Sequence, residues 1–139
     1  MKQLKSRAQD LRNLFESNIT VADIAEKLEY CSAADDARVI RQYMKDQKFD
    51  VFGIEDKGII CGYIEQAILE NGPCMQYQRE FHASELIAES TPLIDLLPIL
   101  HDGSQIFVLD RNRVSGIVTR GDLQKAPVRM LLFGLVTLL

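Results

Sequence analysis

The chain has 139 residues, enough for one compact domain or for two small modules that share a core, since half this length buries too little apolar surface to stand alone. It is 47% hydrophobic, 26% charged and 7% aromatic, which excludes disordered and fibrous classes and fits a folded soluble protein. With 16 basic and 20 acidic residues the net charge is −4, so no global attraction to nucleic acid or to an anionic membrane is expected.

Cys31, Cys61 and Cys74 lack C-x-x-C spacing and support neither a disulfide framework nor a common zinc motif; a reducing cytoplasm is the expected setting. No apolar core of signal-peptide length follows Met1. The apolar run from Met130 to Leu139 falls well short of the roughly 20 residues that span a hydrocarbon core, so no membrane segment is expected.

In chain order, Leu4, Ala8, Leu11, Leu14 and Phe15 recur at three- and four-residue steps and predict an amphipathic helix over residues 1–17. Thr20 opens a second helical run, with Asp23 at its positive end and Ile24 and Leu28 on its inner face. Asp35 and Asp36 start a helix whose buried stripe is read as Val39, Ile40, Tyr43 and Met44, stopping near Asp46. Two β-rich runs follow, Val51 to Ile54 and Ile59 to Ile64, around hairpin-turn chemistry at Glu55 to Gly58. A short helix from Gln66 to Glu70 ends at Asn71-Gly72-Pro73, and Cys74 to Glu80 reads as a connection or an edge strand.

The order then returns. Ala83 to Ile87 is a short helical start, and Thr91-Pro92 begins a helix with Leu93, Leu96, Leu97 and Leu100 as its stripe and Pro98 expected to bend or shorten it. Ile106 to Leu109 and Val114 to Val118 flank the turn Asp110 to Arg113, and Gly121-Asp122-Leu123 follows. Val51 to Glu55 matches Ile106 to Asp110, and Gly62 to Glu65 matches Gly116 to Thr119, with the two glycines 54 residues apart. Two copies of one unit, each too small to cover its sheet alone, should pack together with the functional cleft between them.

The run Gly116-Ile-Val-Thr119-Arg-Gly-Asp122-Leu123 resembles the signature of CBS domains, the modules named after cystathionine beta-synthase, and the paired copies resemble their tandem arrangement over residues 18–125. The resemblance implies an α/β (α+β) fold of two βαββα repeats packed as a pseudo-twofold pair. The expected division is an N-terminal helix over 1–17, a first repeat over 18–72, a second over 73–125 and a C-terminal apolar helix over 126–139. It also implies a regulatory module and not an enzyme, with no required cofactor, an adenosyl ligand such as AMP, ATP or S-adenosylmethionine in a cleft, and a regulated protein that the sequence does not identify.

The Thr-x-x-Asp spacing has its own physical reading. A hydroxyl at a strand end and a carboxylate in the first turn of the next helix sit beside one helix N-terminus, where Asp122 suits a ribose diol and Thr119 a phosphate or sugar oxygen. The plain alternative is that Asp122 caps its helix and Thr119 closes the strand. The family pattern adds Gly121 and Arg120 to the candidate ligand contacts, and Ile87, Ala88 and Ile117 as an apolar slot for adenine.

The first copy departs from this pattern, with Glu65 in place of Thr119 and Ile68 in place of Asp122, so the second copy is the expected site. Basic residues that nucleotide-binding members carry before the first strand of the pair are replaced by Ser104-Gln105 and Phe49-Asp50, leaving phosphate to Arg120, Arg111 or Arg113. His82 and His101 have no metal-like neighbours, Cys61 reads as a small core residue and Cys74 as an exposed one. Asp35 and Asp36 serve a helix dipole, not acid–base chemistry. The apolar C-terminal run should bury against the N-terminal helix of its own or a partner chain, giving a homodimer. The leading expectation is a ligand-sensing module; the alternative is a dimerisation or scaffold module that has no ligand.

Overall fold

The computed structural model describes residues 19–102 and 105–123, so the expected terminal helices over 1–17 and 126–139 lie outside the described residues. Two βαβ–β units follow one another. The first is β2 (Tyr30–Ser32), α1 (Ala37–Gln47), β3 (Val51–Asp56) and β4 (Ile59–Glu65), after a two-residue strand β1 (Glu26–Lys27). The second is β5 (Leu86–Ala88), α2 (Leu93–Asp102), β6 (Gln105–Asp110) and β7 (Arg113–Thr119), followed by the helical turn α3 (Arg120–Leu123). In each unit the first strand runs parallel to the second and the last two form a hairpin, giving sheets β2-β3-β4 and β1-β7-β6-β5.

Both hairpins turn on two residues with positive φ, Lys57 and Gly58 in one and Arg111 and Asn112 in the other, the pair of left-handed conformations that a type I′ turn requires. Each hairpin carries a register shift, between Ile54 and Glu55 in the first and between Val108 and Leu109 in the second. The repeat therefore runs at 54 residues through both strands, pairing Val51 with Gln105; the sequence match of Val51 to Ile106 was one residue out. Apolar alternation is nearly the same in neighbouring positions, which is how such a slip arises.

Several local expectations are corrected. The run from Thr20 is a single 3-10 turn, Val21–Asp23, and Gln66–Ile68 is likewise one 3-10 turn. Leu86 and Ile87, read as part of a helical start, belong with Ala88 to β5, because a parallel neighbour supplies the pairing that three residues alone cannot signal. Asp36 caps α1 by accepting from the Arg38 N–H at 2.9 Å, and Lys48 ends it in the left-handed conformation. Its buried face is Ala37 and Met44, seven residues apart, whereas Val39 is 63% and Tyr43 51% exposed. Helix α2 continues through the exposed Pro98, which forgoes only the bond to the Ile94 carbonyl, and buries Leu93, Leu96 and Leu100.

The two cores correspond element by element. Phe52, Ile54 and Ile64 fill the first as Ile106, Val108 and Val118 fill the second, and Ala37 and Met44 are matched by Leu93 and Leu100. Each core is completed by the segment that leads into the other repeat. Val21, fully buried in the second core, donates its N–H to Thr91 O at 2.8 Å; Cys74, fully buried in the first, donates to Asp35 O at 2.8 Å. Correspondingly, Leu93 N–H donates to Ile19 O at 3.0 Å and Ala37 N–H to Gly72 O at 2.9 Å. This exchange explains why neither repeat would close its core alone. A third cluster joins the sheets, with Leu28, Tyr63 and Phe107 buried together.

The crossing segments run close to β4 and β7 at the two repeat glycines. A Cβ on Gly116 would lie 3.0 Å from Glu26 O, and one on Gly62 would lie 2.7 Å from Arg79 O. Arg79 is held there by paired backbone bonds with Tyr63 at 2.8 and 3.0 Å. Gly62→Ala must therefore push backbone aside, and a loss of about 1–3 kcal/mol is expected in chemical denaturation. A loss under about 0.5 kcal/mol would mean that the crossing segment has room to move.

Candidate functional site

Strands β4 and β7 end together at Glu65 and Thr119, where the chain turns out of each sheet. There a cleft of about 600 Å³ opens between the repeats. The second repeat supplies Ile117, Thr119, Gly121, Asp122 and Gln105, and the first supplies Lys48 to Val51 and Glu65 to Ala67. Glu26 enters because β1 pairs with β7, opposite Ile117. Four of the residues expected from sequence, Ile117, Thr119, Gly121 and Asp122, are thus gathered in one place. Arg120 is the first residue of α3. Ile87 packs in the second core and Ala88 is exposed on β5, and neither lines the cleft.

Asp122 is only 6% exposed. Its Oδ2 accepts from the Thr119 N–H at 2.8 Å and from the Thr119 hydroxyl at 3.2 Å. Thr119 precedes α3 and Asp122 is the third helical residue, so the carboxylate caps the turn in the manner of a capping-box acid. A carboxylate offers about four acceptor positions, so capping and ligand contact are compatible uses of one group. Across the cleft, Glu65 receives Arg79 Nη1 at 2.7 Å. Ile68, the counterpart of Asp122, is 42% exposed and does not line the cleft.

The charge balance is lopsided. Among the described residues, Glu26, Asp50, Glu65 and Asp122 line the cleft with one cation, Lys48. Arg79 offsets one of these acids from the rim. Arg111 and Arg113, expected as possible phosphate partners, stand at the other end of the hairpin and do not line this cleft. Sequence reasoning passed over Glu26 and Lys48. Glu26 belongs to the site only through the β1–β7 pairing, and Lys48 only because its left-handed backbone, φ 62°, ends α1 at the cleft. Neither fact has a local sequence signal.

Residues 85–129 match the family model of the CBS domain. The second repeat is a CBS domain. The pair of repeats has the fold of solved CBS proteins. A CBS domain-containing protein of unknown function from Bacillus anthracis str. Ames Ancestor superposes with a TM-score of 0.70 at 14% identity, over 88% of this chain and 98% of that one. An uncharacterized conserved protein from Pyrococcus horikoshii gives 0.68 at 16% identity, over 80% and 93%. CBSX2, solved in complex with AMP, gives 0.66 at 15% identity, over 82% and 99%. No curated protein sequence matches the chain significantly.

Other reactive groups in this CBS fold lie away from the cleft. The expected places of two cysteines are reversed: Cys61 is exposed, and Cys74 is fully buried. Cys61 is the unpaired residue of β4 at the register shift, while Cys74 opens the 3-10 turn that completes the first core. Burial, and then the neighbouring Cys74 thiol, push the Cys31 thiol far above its usual range, so this pair stays protonated and unreactive. Burial and then the Glu85 carboxylate, which accepts from the Tyr63 hydroxyl at 3.3 Å, raise the Tyr63 phenol. His82 is exposed. Among the described residues no group of three or more His, Cys, Asp or Glu could hold a metal, and no helix is long and apolar enough to cross a membrane.

Proposed function

We propose that the chain is a ligand-sensing regulatory CBS pair that takes an adenosyl compound in the cleft between its repeats. The observation that carries this reading is the meeting of Thr119 and Asp122 with Lys48 and Glu65 from the other repeat in one cleft. A ligand seated there touches both repeats, so it favours one packing of the pair, and its differential affinity for that packing is what a partner would sense. The AMP held by CBSX2, a protein of the same fold, supports the ligand class. In this arrangement the ribose diol shares the Asp122 carboxylate with Thr119, and Ile117 offers apolar contact to the base.

The acidic lining ranks the adenosyl ligands. Asp50 lines the cleft, and a carboxylate about 4 Å from a phosphate costs about 1 kcal/mol even at a water-like dielectric, so triphosphate is opposed while a sulfonium and an ammonium are favoured. The expected order of affinity is S-adenosylmethionine, then AMP, then ATP, with about tenfold or more between first and last and a smaller gap at high salt. Isothermal titration with the three ligands tests this. ATP binding best would overturn the charge argument. No binding of any at millimolar concentration would leave the scaffold reading, which the internal Thr119–Asp122 and Glu65–Arg79 pairs favour.

A further inference from the structure

The opposite end of the sheets carries a second cleft, of about 760 Å³, between the two hairpin turns. Adjacent residues of β1 divide between the two ends: Glu26 lines the acidic cleft and Lys27 lines this one. Lys27 is joined here by Arg111, from the left-handed turn of the second hairpin, and by Arg113 at the start of β7. None of the three makes an ion pair within 4 Å among the described residues. Two carboxylates, Glu55 and Asp110, also line the cleft, but Glu55 Oε1 is engaged by the Gly58 N–H within its own turn. Three cations thus face two lining carboxylates, with Glu89 near Arg111, so cations outnumber acids here where acids outnumber cations in the first cleft.

The same cleft holds two of the large apolar side chains that the protein leaves exposed, Tyr30 at 49% and Ile59 at 44%. Leu28, Ile60 and Val114 lie beneath them as part of the buried or half-buried cluster that joins the sheets. Open cations beside an exposed ring and an aliphatic floor make an amphipathic pocket, with one end for charge and one for an apolar body. Two guanidinium forks and an ammonium supply more donors than a carboxylate can use, whereas a phosphate monoester presents three acceptor oxygens and close to two charges.

We infer that the cleft between the hairpin turns is a second, separate binding site for a small organic phosphate whose apolar part lies against Tyr30 and Ile59. The site is independent of any ligand at Thr119 and Asp122. The test is a titration of the isotope-labelled protein with phenyl phosphate, followed by amide chemical shifts. Gly58, Arg113, Val114 and Ser115 are expected to move with a Kd of roughly 1 mM or tighter, while Thr119 and Asp122 stay still. Inorganic phosphate, which lacks the apolar body, should bind at least several-fold more weakly. The exposed substitutions R111Q and R113Q, made together, should weaken phenyl phosphate about tenfold and leave the spectrum otherwise folded. Shifts that centre on Thr119 and Asp122, an R111Q/R113Q protein that binds as well as the wild type, or no shifts at all would each overturn the assignment.

Discussion

Phe107→Ala is expected to reduce stability by about 3–5 kcal/mol, the largest loss of any single truncation among the aromatic residues described. Phe107 is fully buried in the middle of β6. Its ring centroid lies 4.7 Å from that of Tyr63, in the other repeat, and 4.6 Å from that of Phe81, in the segment leading into its own repeat. Truncation leaves a cavity lined from both repeats and removes two aromatic pairs, each worth about 0.5–1.5 kcal/mol beyond the area they bury. Since each core is completed by the other repeat's leading segment, the loss should appear in one cooperative transition and not in the melting of the second repeat alone. Urea denaturation followed by fluorescence and far-ultraviolet circular dichroism checks both points. Val39→Ala, on the exposed face of α1, should stay within about 0.5 kcal/mol of wild type. A Phe107→Ala loss under about 1 kcal/mol, or two separate transitions, would show that the repeats are not energetically joined.

Asp122→Asn separates the two uses of that side chain. The amide oxygen of asparagine still accepts the Thr119 N–H, so the cap survives and stability should fall by no more than about 1 kcal/mol. A ribose diol loses a charged acceptor, worth about 1.5–3 kcal/mol per hydrogen bond, so adenosyl affinity should drop about tenfold or more. Adenosine is the appropriate probe beside S-adenosylmethionine, because it is uncharged and its response is free of the altered charge of the cleft. Affinity unchanged within twofold, with stability reduced, would assign Asp122 to capping alone.

The elements that could be read from the sequence are those whose pattern is local. β3, β4, β6 and β7 each hold an apolar run of several residues, and each turn carries one residue type suited to a positive φ, Gly58 in the first and Asn112 in the second. The recurrence of those runs pointed to two repeats, the Thr-x-x-Asp spacing picked out Thr119 and Asp122, and the family resemblance added Ile117 and Gly121; all four line the cleft. β2 and β5 have three residues each, too few for a period, and exist because β3 and β6 pair with them. Val39 and Tyr43 are apolar or aromatic at helical spacing, yet the sheet meets α1 along Ala37 and Met44. Side-chain type states what could be buried; the angle at which an element docks decides which face is.

The sequence by itself determined the repeat, the hairpins and the pairing of a hydroxyl with a carboxylate at the end of β7, because each follows from backbone preference and side-chain chemistry over a few residues. Only the tertiary structure decided that Glu26 and Lys48 share the cleft with Thr119 and Asp122, that Ile87 and Ala88 lie apart from it, and that Arg111 and Arg113 stand at the opposite end of the sheets. Those placements depend on the crossing of each leading segment onto the other repeat, a packing of residues 35 to 74 positions apart, and no local preference records contacts at that separation.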